Sequence, residues 1–249
     1  TPVFRYCEFQ NNRAGLKGGA IYLSGGNPYD RGIEFEHCQF VNNRVWSTQG
    51  QGGVLYFQQN FGNEEIRFQN CSMEDNFASA IGGALSIWFS DMEQVSILID
   101  SCSFSGNSTN TRAVVINFAQ SLSAEVPVVF FTLQNSDISN NNSNTANSIV
   151  FLESFSSDEN SHFGFSGNRF SKNSTSGLLF SSSHNSTFYR NEFIENRTIW
   201  LFSSNDAHRN LFSKNKMSCI FSYGSQTDSS NTGIRNNLFI QNGDPAAPD

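Results

Sequence analysis

A histidine, a cysteine and two glutamates crowd into one stretch, Ile33-Glu-Phe-Glu-His37-Cys38-Gln-Phe40-Val-Asn-Asn43. A thiol beside an imidazole can serve as a nucleophile with its base. Paired carboxylates within a few ångströms of each other can cleave glycosidic bonds. Further candidates are Cys7, Cys71 and Cys102, the histidines at 162, 184 and 208, and the acidic pairs Asp91/Glu93 and Asp158/Glu159. Whether any of these act together depends on the elements that carry them.

The stretch is one copy of a repeat. Aligned copies run Phe4…Cys7…Phe9…Asn12, Ile33…Cys38…Phe40…Asn43, Ile66…Cys71…Met73…Asn76 and Ile97…Cys102…Phe104…Asn107. They continue as Phe131…Ser136…Ile138…Asn141, Phe163…Asn168…Phe170…Asn173, Phe188…Asn191…Phe193…Asn196, Ala207…Asn210…Phe212…Asn215 and Ile234…Asn237…Phe239…Asn242. After most of them comes a second apolar segment, such as Gly18-Gly-Ala-Ile21, Gly52-Gly-Val-Leu55 or Gly82-Gly-Ala-Leu85. Apolar residues alternate at period two, which is strand spacing, and no 3.6-residue pattern is sustained. Asn, Gly and Ser fill the turns between strands, where positive φ must be tolerated. Repeats of this length stack, each touching only its neighbours. The prediction is an all-β, single-stranded parallel β-helix of about nine coils with short Asn/Gly/Ser turns. Residues 1–249 form one domain, with wide coils over 1–160, narrower coils over 161–242 and a tail over 243–249. At ~4.8 Å per coil such a rod rises about 43 Å.

In this frame the candidate chemistry disperses. Cys7, Cys38, Cys71 and Cys102 form one inward column, read as a ladder of small buried thiols. Inter-coil disulfides are the alternative, because neighbouring Cα atoms would lie near ~4.8 Å, within disulfide range. A linear stack does not converge on a metal, and no cofactor is implied. The terminal Asn column (Asn12, Asn43, Asn76, Asn107, Asn141, Asn173, Asn196, Asn215, Asn242) is read as a structural ladder. It should hydrogen-bond along the axis, with Asn tolerating a left-handed corner. The outward column after the Cys position reads Glu8, Gln39, Ser72, Ser103, Asp137, Arg169, Glu192, with no adjacent acids. Opposite charges should stack as Arg5 on Glu36 and Glu34 on Arg67, and Lys172, Glu195 and Lys214 should alternate.

Phe9-x-x-Asn12 with Gly18-Gly-Ala-Ile21, and its counterparts at 40–55 and 73–85, resembles the repeats of the chlamydial polymorphic outer membrane proteins. The double motif covers residues 1 to about 90; beyond that only Phe-x-x-Asn persists. The resemblance implies a right-handed β-helix displayed outside the cell and used in adhesion.

The chain has 249 residues, a net charge of −7 and only 15% charged residues. An acidic chain with no basic run in its sequence argues against nucleic acid as a partner. No apolar run approaches the ~20 residues of a membrane span. The first repeat starts at once, so the chain reads as a fragment of something longer, with a cap, a neighbouring segment or an end-to-end partner expected at the open strand edge. Six Asn-x-Ser/Thr sequons occur. Four are ladder positions, which leaves Asn185 and Asn70 as the glycosylation candidates. Tyr29, Trp46 and Phe61 lie in the early loops and could contact glycans or proteins. The expected function is an extracellular or cell-surface structural or adhesive rod without catalysis. Its expected partners are segments of the same assembly, glycans or host and matrix proteins. The alternative is a carbohydrate-active β-helix enzyme of the pectate-lyase or glycoside-hydrolase kind.

Overall fold

The computed structural model describes the chain except residues 26–31, 60–62, 90–93, 121–127, 144–147, 154–160, 176–178, 182–185, 198, 203–205, 217–218, 223–232 and 244–249. Every described strand pairs in parallel with its equivalent one repeat away, as in Ile33–Glu36 beside Asn63–Gln69 and Gln39–Val41 beside Ser72–Glu74. The result is a parallel solenoid.

Two faces contain nine strands each. One runs from Val3–Arg5 to Gly233–Arg235, the other from Glu8–Gln10 to Leu238–Ile240. A third face has five strands of two residues, Arg13–Ala14 through Asn142–Ser143, which alternation over so few residues could not reveal. A fourth has six, Ile21–Gly25 through Leu179–Ser181. Among the described residues the expected nine coils therefore exist as nine rungs on two faces, while five rungs carry strands on all four sides. The third face stops where the ladder spacing falls from 32 residues, Asn141 to Asn173, to 23, Asn173 to Asn196.

Burial follows the pleat. In Ile33–Glu36 the isoleucine and phenylalanine are buried and the glutamates half-exposed. The inward phenylalanines stack from rung to rung, Phe35 on Phe68 at 4.8 Å and Phe193 on Phe212 at 4.8 Å between ring centroids. Each large aromatic buried from water contributes about 1.5–3 kcal/mol, and stacking adds to this.

The Gly-Gly element has a specific geometric origin. Gly52 sits at φ +67, in the left-handed region, and a Cβ on Gly53 would come within 1.9 Å of the Gly83 carbonyl oxygen. The first glycine turns the chain and the second lets adjacent rungs touch backbone to backbone. The motif decays where this contact ends. At the equivalent positions of the next rung stand Ala113, still at φ 51, and Val114, whose N–H is donated to its register partner Ser148. Gly53, in contrast, donates to Gly82, one residue before its own partner.

Candidate functional site

The two nine-stranded faces meet at a sharp corner, and the Cys38 column lies just after it. Residues at this corner have left-handed φ rung after rung: Tyr6, His37, Asn70, Ser101, Asn135, Gly167, Arg190, Arg209 and Asn236. A second left-handed column, including Asn11, Asn42, Asp75, Gly106 and Asn140, precedes the Asn43 ladder. The expectation that the ladder asparagines themselves take the left-handed turn is corrected: that turn belongs to the residue before each. The reason is directional, since a chain that turns one residue early aims the next side chain back along the axis. His37 thereby acquires a role. It is a left-handed corner residue stacked on Tyr6 at 5.1 Å between centroids, with Glu36 at 3.8 Å.

The ladder geometry repeats along the rod. Asn76 N–H and Asn76 Nδ2 both donate to Asn107 Oδ1, at 3.1 and 3.0 Å, and Asn107 Nδ2 donates to Met73 O and to Asn141 Oδ1. The same set recurs at Asn141, Asn173 and Asn196. Each carboxamide thus satisfies backbone groups that a corner would otherwise bury unpaired. The sequons at 107, 141, 173 and 196 are fully buried, with both Nδ2 hydrogens engaged. Asn70 is exposed at its corner, whereas Asn185 lies outside the described residues.

A second ladder, of equal rank, stands in the cysteine column. Asn168, Asn191 and Asn210 make the same bonds as the first ladder, for example Asn168 N–H to Asn191 Oδ1 at 3.1 Å, and Asn237 accepts the last pair. Towards the N-terminus thiols substitute for the carboxamide. Cys38 N–H donates to Cys71 Sγ at 3.4 Å, and the Cys38 and Cys71 thiols point to Phe4 O and Phe35 O at 3.3 and 3.5 Å. Those carbonyls are the register equivalents of the ones that Asn168 and Asn191 reach, Leu133 O and Phe165 O. Sequence reasoning placed these asparagines in the column but did not read them as a ladder. The signal was the replacement Cys to Ser136 to Asn168 along one column, a run of small donor–acceptor side chains.

Cys7, Cys38, Cys71 and Cys102 are free thiols. The Cys102 thiol points to Asp100 O at 3.3 Å; its interaction with the Cys71 thiol draws Cys71 below its usual range and, together with burial, pushes Cys102 up. Burial raises Cys38 as well. Only Cys7 is partly exposed. Native-state alkylation by iodoacetamide, followed by peptide mass spectrometry, should label Cys7 first and leave Cys102 unmodified until the rod unfolds. Labelling of Cys102 at the rate of Cys7 would contradict its placement.

Outside the thiols the corner forms an open groove of about 530 Å³, lined by Tyr6, His37, Asn70, Ser101, Asn135 and Asp137 among others. Next to the groove residue Ser101, Asp100 is held below the usual carboxylate range: burial opposes this, but hydrogen bonds from Asn135, Gln134 and Ser101 outweigh it. The outward registers hold as read from the sequence: Glu8, Gln39, Ser72, Ser103, Asp137, Arg169 and Glu192 stand in one column. No two acids adjoin in it, and among the described residues no group of three or more His, Cys, Asp or Glu side chains could hold a metal.

The expected ion pairs divide. Arg5 pairs with Glu36 at 2.6 Å, and Lys172 reaches Glu195 at 4.0 Å. Arg67 lies opposite Glu34 in register, but its guanidinium turns along its own strand to Glu65 at 2.5 Å, a correction to the expected cross-rung pair. Trp46 is 55% exposed, with Arg44 over its ring at 5.6 Å and Phe77 tilted against it at 5.5 Å. Tyr29 and Phe61, and the acids at 91, 93, 158 and 159, lie outside the described residues.

The family signature described as the right-handed beta helix region matches residues 87–247, well over half of the chain. This chain belongs to the right-handed β-helix family. At the other end of this β-helix protein, residues 6–24 match the Chlamydia polymorphic membrane protein repeat, the span holding Phe9, Asn12 and Gly18-Gly-Ala-Ile21. No curated protein and no solved structure matches the chain significantly.

Proposed function

We propose that this β-helix protein is a non-catalytic, cell-surface or extracellular rod that serves as an adhesive or structural segment of a larger assembly. The observation that carries the reading is the polymorphic membrane protein repeat at residues 6–24, on a rod whose repeated side chains are committed to its own ladders. What recurs at every rung is spent on stability, which leaves the outward columns and loops for recognition. Glycans, host or matrix proteins and further copies of the rod are the partners such a surface would meet.

The test pairs attachment with turnover. Purified protein coated on beads is presented to mammalian cells and to extracellular matrix, and is incubated in parallel with acidic polysaccharides while reducing ends and unsaturated products are followed. The expected result is saturable attachment without cleavage. Cleavage abolished by changing a single acidic residue would overturn the reading in favour of a carbohydrate-active enzyme.

A further inference from the structure

The charge of the chain is not evenly spread. Before residue 160 seven cations face sixteen acids, and from 160 onward eight face six. Among the described residues of the last four rungs the imbalance is sharper. Arg169, Lys172, Arg190, Arg197, Arg209, Lys214, Lys216 and Arg235 stand against Glu192, Glu195 and Asp206. These cations are scattered in sequence, and only the rung-to-rung register gathers them.

The two corners of these rungs differ in kind. At the corner before the first Asn ladder the left-handed positions read Lys172, Glu195, Lys214, alternating in sign, with Lys172 at 4.0 Å from Glu195. At the groove corner the left-handed positions of the same rungs include Arg190 and Arg209 on successive rungs, both exposed. Arg190 N–H donates to His208 O and Arg209 N–H to Arg235 O, so the two stack in register about 4.8 Å apart. Like charges so placed repel. Arginine is also a poor choice for a left-handed corner, which favours Gly, Asn and Asp; of the other seven corners in this column four follow that preference, Asn70, Asn135, Gly167 and Asn236, and three carry Tyr6, His37 and Ser101. Among the described residues neither guanidinium pairs with a carboxylate. Asp206 is taken by Arg235 and His208, both at 3.2 Å. Tyr189 props the pair, with Arg190 over its ring at 4.8 Å and its hydroxyl accepting from Arg209 Nη1 at 3.3 Å. Fold requirements explain neither arginine.

We infer that the Arg190–Arg209 corner is a docking edge for a linear sulfated polysaccharide running along the rod axis. The ligand chemistry follows from the edge. Guanidinium groups recognise oxyanions through paired N–H donors, and a row with a fixed rung spacing suits a chain polyanion. A single-stranded nucleic acid would need open aromatic faces for its bases, but the Tyr189 ring is already covered by Arg190 and by His208 at 4.7 Å.

The inference rests on the surface-rod reading, and the two can fail separately. The full chain is titrated with a size-defined heparin oligosaccharide at several sodium chloride concentrations, beside R190N/R209N and a distant control, R13S. Asparagine suits both corners, and thermal melts verify that each variant folds. The wild type and R13S should bind alike, and the double variant about tenfold more weakly, with a log–log salt slope shallower by about two, one for each cation removed. Desulfated heparin should not compete. Equal affinity of R190N/R209N, equal binding of desulfated polymer, or equally tight binding of a single-stranded oligonucleotide of matched charge would overturn the inference. Cell attachment unchanged in R190N/R209N would also sink the docking edge while leaving the rod reading intact. Arginine-dependent heparin binding without any cell attachment would support the edge and count against the rod's adhesive role.

Discussion

Asn107→Ala should destabilise the rod by about 4 kcal/mol, because it strands several buried groups at once. Asn76 loses the acceptor of both its backbone and its side-chain N–H, and Met73 O loses its donor. Each buried polar group left unpaired costs about 1–3 kcal/mol, and the vacated space cannot admit bulk water at a fully buried site. The matched control is Asn12→Ala in the first described rung. Asn12 is exposed and only donates, through its N–H and Nδ2 to Asn43 Oδ1, so its loss should cost under about 1 kcal/mol. Urea unfolding followed by fluorescence measures both. Equal, small effects would mean that the ladder decorates the rod without holding it.

Gly53→Ala should be comparably damaging, about 3 kcal/mol or more, by a different route. Its new methyl would lie 1.9 Å from Gly83 O and 3.0 Å from the backbone of Phe77, so the rungs would have to part along two faces. Gly52→Ala is the informative neighbour. A Cβ on Gly52 would meet the Leu55 carbonyl oxygen at 2.2 Å, but that contact lies within its own turn, and Ala113 holds the same left-handed φ on a later rung, so the turn can adjust locally and the cost should stay below that of Gly53→Ala. Thermal melts of the two variants should therefore separate clearly, with G53A the lower. The reverse order would mean that backbone conformation, not rung contact, selects the Gly-Gly pair.

Much of this architecture was legible because it repeats. A ladder position such as Asn43 declares itself by recurring after every Phe-x-x, and alternation in Ile33–Glu36 assigns its facing. The two-residue strands of the third face left no periodic trace, since two residues cannot alternate. The left-handed turn at the first ladder was misassigned by one residue because Asn occupies both positions in several copies, as at Asn11-Asn12 and Asn42-Asn43, and type alone cannot say which one turns. The docking edge was invisible for a topological reason. Arg190 and Arg209 are 19 residues apart in sequence, and only rung-to-rung stacking makes them neighbours. The Arg67 pairing shows the converse limit. Register brings Glu34 opposite, yet a flexible guanidinium chooses the closer carboxylate of Glu65 on its own strand.

Two side-chain ladders bind the rungs into one rod, and amide hydrogen exchange is the measurement that decides this. The backbone N–H groups of Asn76, Asn107, Asn141, Asn168 and Asn191 are donated into side chains of the next rung, in both ladders. They should exchange slowly and together, only through opening of the surrounding rungs, at rates matching those of the flanking strand amides. Fast, independent exchange at these five amides while the strands stay protected would contradict the claim.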